Sequence, residues 1–346
     1  MYRLLSIIFL VFVAFAFVSF NFSCFSFDSE GPAFSVSVEA KDIQTIAETQ
    51  KINELLDNLE KHWNNHDINN VLKYYAETFV NGDGLDVDAV KSLTQELWQA
   101  YSDIKTKSQD RSVRVYGDYA TVESVDIYYG NSSEIRQEVG SKGILKAVSV
   151  GNLFLKKFGP AWKITSDKTI FERVSIGYGV GGEFIEQNKV KLTAPEQVVG
   201  GQQYTARLDF NLPEDVKPVA AISKEVLLYP QQAAEDKFRL INESNLEKFV
   251  TANKISKNEL ITATVGLTGG ALNPKLLGLV FLTRRVNVVP VSTETSEVSI
   301  IKKPAKSALT KEVDFLDIYV KEQKNEKKDL KEPTNPDENL SPEDIK

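Results

Sequence analysis

HWNNHDINNVLKYYAETFVNGDG (His62–Gly84) and LFLKKFGPAWKITSDKTIFERV (Leu153–Val174) are the stretches whose reading decides the fold. Around the first, apolar residues recur at helical spacing; around the second they alternate as in strands. Upstream, Ile52, Leu55, Leu56, Leu59 and Trp63 share one helical face. Asn64-Asn65-His66-Asp67 breaks that helix, and Asp67 stands where the cap of the next one belongs. A second predicted helix carries Ile68, Val71, Leu72, Tyr75 and Phe79 on one stripe, and Asn81-Gly82-Asp83-Gly84 predicts a turn. A third buries Val87, Val90, Leu93, Leu97, Trp98 and Tyr101. From Ile104 the period changes to two. Val113 and Val115 lead into Tyr116-Gly117-Asp118-Tyr119, a tight hairpin signal, followed by Ala120, Val122 and Val125. After a looser segment at 131–143, a long strand over Ile144–Lys157 turns at Phe158-Gly159-Pro160-Ala161 and returns as Trp162–Val174. Helices first and long antiparallel strands last predict an α+β unit, a cone of three helices packed into a curved antiparallel sheet with space for a pocket.

These pieces resemble the nuclear transport factor 2-like superfamily, and within it the SnoaL-like bacterial branch. The resemblance is carried by Trp63 with His66-Asp67, by Leu72 to Phe79, by the Gly117-Asp118-Tyr119-Ala120 hairpin and by Gly159-Pro160-Ala161-Trp162-Lys163-Ile164. It covers residues 43–175. It implies the cone fold, a sheet face able to form a homodimer, and, among catalytic members, isomerase, dehydratase or hydrolase chemistry that uses buried acids. The matching residues are turns and core positions, so they specify fold and leave activity open.

The chain has 346 residues, 42% hydrophobic and 26% charged, which predicts two domains plus tails. A net charge of −7 without a basic stripe argues against nucleic acid as a partner. Residues 1–26 hold Arg3 and then an apolar run from Leu4 to Phe20, read as a signal peptide or an uncleaved membrane anchor. The expected localisation is therefore exported: periplasmic, envelope-associated or secreted, with membrane contact only through this segment. Cys24, the single cysteine, follows the run where a lipidated cysteine would stand, though Asn21-Phe22-Ser23 fit such a motif poorly. Residues 27–42 read as a spacer. From 176 to 290, Tyr204, Ala206, Leu208, Phe210 and Leu212 alternate with polar neighbours, and further strands are predicted over 219–229, 259–267 and 279–289. That region predicts an immunoglobulin-like β-sandwich, with a helical alternative for Asn245 to Phe249. Residues 291–346 predict a disordered charged tail, with a helical island at Leu309, Val313, Leu316 and Val320.

Candidates for chemistry are few. His62 and His66, the only histidines, stand four apart, the spacing of two metal ligands on a helix, but no third ligand accompanies them. Pairing through the Gly117-Asp118 hairpin places Val115 opposite Ala120, Val113 opposite Val122 and Arg111 opposite Ser124. Arg111, Ser124 and Asp126 then share the inward face, with Tyr128, Trp98 and Tyr75 lining the same space. A buried Arg111–Asp126 pair beside an apolar cavity would orient a water or polarise a substrate; the alternative is an ordinary cross-strand ion pair. A third possibility treats the cone as a scaffold, its cavity filled by Trp98, Tyr75 and Phe154. Gly179-Val180-Gly181-Gly182 and the glycines from Gly266 to Gly270 read as turns rather than phosphate loops. No metal and no cofactor is implied. The leading expectation is a non-enzymatic exported protein that binds a small hydrophobic ligand or a protein partner. The runner-up is a SnoaL-like enzyme acting on a small hydrophobic substrate through the Arg111–Asp126 pair.

Overall fold

The computed structural model describes residues 40–227, 238–270 and 274–291. The apolar run, Cys24 and the tail with its helical island lie outside them. Among the described residues no helix is long and apolar enough to cross a membrane.

Three helices precede the strands: α1 (Ala40–Asn64), α2 (Ile68–Leu72) and α3 (Val87–Ala100). α1 starts inside the expected spacer and buries Ile52, Leu56, Leu59 and Trp63, one apolar residue per turn. It stops where His66 takes φ 57°, in the left-handed region. The Asp67 carboxylate then accepts from the Asn70 N–H at 3.2 Å and caps α2. Asp86 caps α3 in the same way, accepting from the Ala89 N–H at 2.9 Å.

The second helix is shorter than the spacing predicts. It ends at Leu72, and the following residues run as turns and isolated bridges along the edge of the strand at Ala161–Gly179. The Ala76 N–H donates to the Ile164 carbonyl at 2.8 Å and the Gly82 N–H to the Asp167 carbonyl at 2.7 Å. Tyr75 and Phe79 are buried as expected, but along a sheet edge that supplies partners for backbone groups a helix would have paired internally.

The strands are β1 (Lys105–Tyr116), β2 (Tyr119–Arg136), β3 (Ser141–Phe158) and β4 (Ala161–Gly179), joined as antiparallel hairpins. β2 and β3 extend through much of the segment read as loose. Gly117, at φ 62°, makes the two-residue turn between Tyr116 and Tyr119. The register is the expected one: Val115 opposite Ala120, Val113 opposite Val122 and Arg111 opposite Ser124.

After β4 comes α4 (Val180–Glu186), then β5 (Val190–Thr193), β6 (Gln197–Val199), β7 (Gln203–Phe210), β8 (Val216–Val226), β9 (Arg239–Leu240), β10 (Asn245–Thr251), β11 (Glu259–Gly269) and β12 (Lys275–Val289). Two readings change here. Asn245–Thr251 is a strand paired with β7, not a helix. The glycines at 179–182 do follow a strand and open a helix, because α4 must fold back tightly on β4: a Cβ on Gly177 would stand 2.5 Å from the Gly181 backbone.

The described architecture is dominated by sheet. Among the described residues one sheet runs β1-β2-β3-β4-β12-β11-β8-β9, with β6 beside β12; a second runs β10-β7-β5. β4 therefore pairs with β3 along its length and with β12 over Arg173–Gly179. Strands from both expected modules share one hydrogen-bonded sheet. The helices bury one face of it, with Val174, Ile176 and Phe281 joining Leu56, Leu59 and Leu97 in one core. The three-stranded sheet covers the opposite face further along, where Leu208 and Leu246 meet Ala263, Val265 and Leu282 in a second core.

Candidate functional site

The inward face of β1–β4 carries the expected residues. Arg111, Ser124, Asp126 and Tyr128 point toward the helices, and Ser124, Asp126, Tyr128, Trp98 and Tyr75 are buried. Their connections are more specific than the sequence suggests. The Arg111 guanidinium reaches α1, donating to Asn53 Oδ1 at 3.0 Å and Asp57 Oδ1 at 3.2 Å. Burial lowers its pKa, and Asp57 and Asp126 oppose that shift. Asp126 accepts from the Ser124 hydroxyl at 3.0 Å and acts on Arg111 electrostatically.

Beside them on α1 stands Glu60, a residue the sequence did not single out. Burial pushes its carboxyl up to about 7; the Ser108 N–H opposes the shift and the Asp126 charge adds to it. Trp98 stacks on His66 at 4.7 Å and meets Trp63 edge-on at 5.7 Å; Trp63 in turn meets Tyr128 at 5.8 Å. The two histidines diverge. His62 lies 3.5 Å from Asp67, whereas His66 is taken up by the stack and the Ile104 carbonyl. Phe154 does not fill the interior: Leu153 and Leu155 point inward, so Phe154 faces outward and is exposed.

A second polar cluster lies further along the same face, at the seam where the edge partner of β4 changes from residues 75–82 to β12. Arg285 of β12 holds Asp83 with two bonds, at 2.7 and 2.9 Å, and Asn258 adds a third at 2.9 Å. Burial would raise the Asp83 pKa, but the Arg285 charge and these hydrogen bonds outweigh it and leave it lowered.

Glu172 and Asp167 of β4 share this interior without such partners. Glu172 is 1% exposed, and among the described residues neither of its carboxyl oxygens makes a hydrogen bond, nor does Asp167 Oδ2. Burial pushes Glu172 well above the usual carboxylate range, with Arg285 pulling down and Asp83 pushing up. Burial and the Asp83 charge push Asp167 up to about 8. Thr262 and Thr283, paired across β11 and β12, are buried with hydroxyls that also make no hydrogen bond among the described residues. The contrast is Glu259, 0% exposed, which accepts from Tyr204 at 2.7 Å, Lys224 at 3.1 Å and the Asn253 N–H at 2.7 Å. One buried acid is fully satisfied by the fold; the other two are not.

The two clusters belong to one electrically connected interior. Asp126 acts on Tyr128, Glu172 and Tyr75 also act on Tyr128, and Asp167 acts on Tyr75. Both phenols are raised, chiefly by burial. Separate from this interior, an open cleft of about 800 Å³ lies between the end of α3 and the β2–β3 turn, lined by Glu96, Gln99, Arg136, Glu138 and Tyr178 among others. It holds none of the raised carboxyls.

Sequence reasoning missed the second cluster for a physical reason. Glu172 was legible, since it keeps step with Val174 and Ile176. Asp167 was not: β4 carries irregularities at Thr165 and Ile170, and the first of them turns Asp167 inward where strict alternation from Trp162 points it out. Arg285 and Asp83 are far apart in sequence, and only the pairing of β12 with β4 unites them.

No family model and no curated protein matches the chain. Solved structures do resemble part of it. A Bdellovibrio bacteriovorus protein, Bd1075, is 19% identical with a TM-score of 0.30, over 39% of this chain and 42% of that one, so the chain spans less than half of Bd1075. A nuclear transport factor 2-like superfamily protein from Salmonella enterica serovar Typhimurium is 14% identical, with a TM-score of 0.30, over 36% of this chain and 90% of its own. The hexachlorocyclohexane dehydrochlorinase LinA type 3 from Novosphingobium barchaimii is 13% identical, with a TM-score of 0.29, over 36% of this chain and 87% of its own. Such identities and TM-scores carry nothing about activity, substrate or partner. The names of two of the similar structures, the Salmonella protein and one from Novosphingobium aromaticivorans, describe them as nuclear transport factor 2-like.

Proposed function

We propose that the chain is an exported, envelope-associated binding protein whose cone-shaped domain takes a small, uncharged, largely apolar molecule into its interior. The observation that carries this reading is Glu172, buried with both oxygens lacking a hydrogen bond among the described residues, on the same inward face as Asp167, Thr262 and Thr283. Each such group costs about 1–3 kcal/mol when left without a partner. A ligand oxygen that accepts from the neutral acids and the hydroxyls would recover much of that. The walls it would meet include Val174, Phe281 and Leu260, which suit an apolar body with one or two polar atoms. Arg285 is already neutralised by Asp83, so a charged ligand has no counter-ion waiting.

The test is native mass spectrometry of the full chain purified from its own envelope fraction, with Glu172→Leu alongside. A retained small mass that is lost on denaturation, and several-fold less abundant in the variant, is the expected outcome. Wild-type protein that carries nothing, or a mass retained equally by a folded Glu172→Leu, would defeat the reading.

One observation favours a second reading, an isomerase, dehydratase or hydrolase. Glu60, held at about 7 near Asp126 and Arg111, matches the demand for a general acid or base that works near neutrality. If it transfers protons, the retained molecule exchanges hydrogen for deuterium in D2O with the wild type and not with Glu60→Gln. Equal exchange in both removes the enzyme reading and leaves binding untouched.

A further inference from the structure

The outward face of the β1–β4 hairpin tips gathers exposed aromatic rings and cationic side chains. Cross-strand register places Tyr116, Tyr119, Lys156 and Lys163 in one row, and Arg114, Thr121, Phe154 and Ser166 in the next. Phe158 ends β3 beside them. Tyr116 is 63% exposed, Tyr119 57% and Phe158 46%. The Lys156 ammonium sits 5.5 Å from the ring centres of both Tyr119 and Phe158, so cation and aromatics form one surface. These rings are not misplaced core, because the opposite face of the same strands buries Ala120, Val122, Leu153 and Leu155.

Two further observations say what this surface faces. Its charge is opposite to that of the whole chain: Arg114, Lys156, Lys163 and Lys168 outnumber Glu123 and Asp118 here, on a molecule of net charge −7. The chain also enters the fold at this end. Glu48, in the first half of α1, accepts from Lys157 at 2.9 Å and from the Trp162 indole at 2.7 Å, beside the β3–β4 turn. The residues before α1 lead back to the apolar run Leu4–Phe20, over a connection that spans at most about 70 Å when extended.

We propose that this hairpin-tip face is a membrane-docking surface for a bilayer bearing anionic phospholipid headgroups. Lysine and arginine meet the phosphates, while tyrosine and phenylalanine rings settle at headgroup depth, each with one edge in the apolar boundary. The contact is additional to the N-terminal segment, and holds the domain with its tips toward the membrane. It stands independently of what the interior binds.

Vesicle co-sedimentation of the full-length chain tests it, comparing phosphatidylcholine vesicles with vesicles that also contain phosphatidylglycerol. Because the apolar run alone binds either vesicle, the informative quantity is the difference between the two. Anionic vesicles are expected to bind at least about tenfold more tightly, with the advantage lost in high salt and in Arg114→Glu/Lys156→Glu. Tyr119→Ser/Phe158→Ser is expected to weaken binding to both vesicles several-fold. Arg114, Tyr119 and Phe158 are exposed and Lys156 is half-buried, and unchanged unfolding temperatures check that each variant remains folded. Equal binding to the two vesicles, or an anionic preference that survives the charge reversal, overturns the proposal. So does crosslinking from these positions to an acidic protein when no lipid preference is seen.

Discussion

Asp167 is held at about 8 and Glu60 at about 7, whereas ordinary carboxyls titrate near 4. An acid raised in the folded state contributes stability that is fully present below its unfolded pKa and is lost as pH rises through the folded value. These two groups therefore make the protein less stable between about pH 4 and pH 8. Glu48 has the opposite sign. Hydrogen bonds from Lys157, Trp162 and Lys51 hold it at about 2, so its contribution is present above about 4.5 and lost as pH falls toward 2. The thermal midpoint is expected to peak near pH 5 and to fall toward pH 8. Asp167→Asn should flatten the alkaline fall, and Glu48→Gln should flatten the acid one at a cost of about 1 kcal/mol at neutral pH. A wild-type midpoint that climbs from pH 5 to pH 8 would contradict the burial of neutral acids. At this scale the sequence identified Arg111, Ser124 and Asp126 and their common face, since a two-residue hairpin transmits register directly. It passed over Asp167, because a strand irregularity inverts the alternation that reading depends on.

Among the elements, the run of turns and bridges after α2 and the reversal into α4 matter most. Residues 75–82 flank one half of β4 and β12 flanks the other, and Asp83 closes the seam by reaching Arg285. The turn that aims Asp83 depends on Asn81, whose side-chain oxygen accepts from the Asp83 and Leu85 N–H groups at 3.0 and 2.8 Å. Asn81→Ala should cost about 1–2 kcal/mol in urea unfolding. It should also weaken ligand retention, if the interior is the binding site. At the reversal, Gly177→Ala would drive a methyl to 2.5 Å from Gly181 backbone atoms, which cannot move aside as a flexible side chain would. The expected loss is about 2 kcal/mol or more, and an alanine variant as stable as wild type would show that α4 packs less tightly than described. Helical periodicity could not foresee the end of α2 at Leu72. Tyr75 and Phe79 suit a buried helical stripe and a buried sheet edge equally well, and the free edge of β4 decides between them.

Across the molecule, the shared sheet makes a thermodynamic statement. β12 supplies both the hydrogen bonds along Arg173–Gly179 and the buried Arg285 guanidinium whose charge acts on Glu172 and Asp167. Chemical denaturation of the described region is therefore expected to give one cooperative transition that secondary-structure and tertiary signals follow together. A fragment that ends at residue 179 would expose the β4 edge and leave those acids without Arg285. Its amide spectrum is expected to lack the dispersion of a folded protein; a well-dispersed, monomeric fragment would show that the helix-covered sheet is autonomous. The sequence by itself determined the first and third helices, the hairpin turns, the β1–β2 register and the inward face of those two strands, because each depends on residues close together in the chain. Only the tertiary structure decided that β4 and β12 join, that Asp83 meets Arg285, and that Glu172 lies beside that pair without a hydrogen bond among the described residues. Those facts rest on pairings between segments about a hundred residues or more apart, for which periodicity, caps and turns contain no signal.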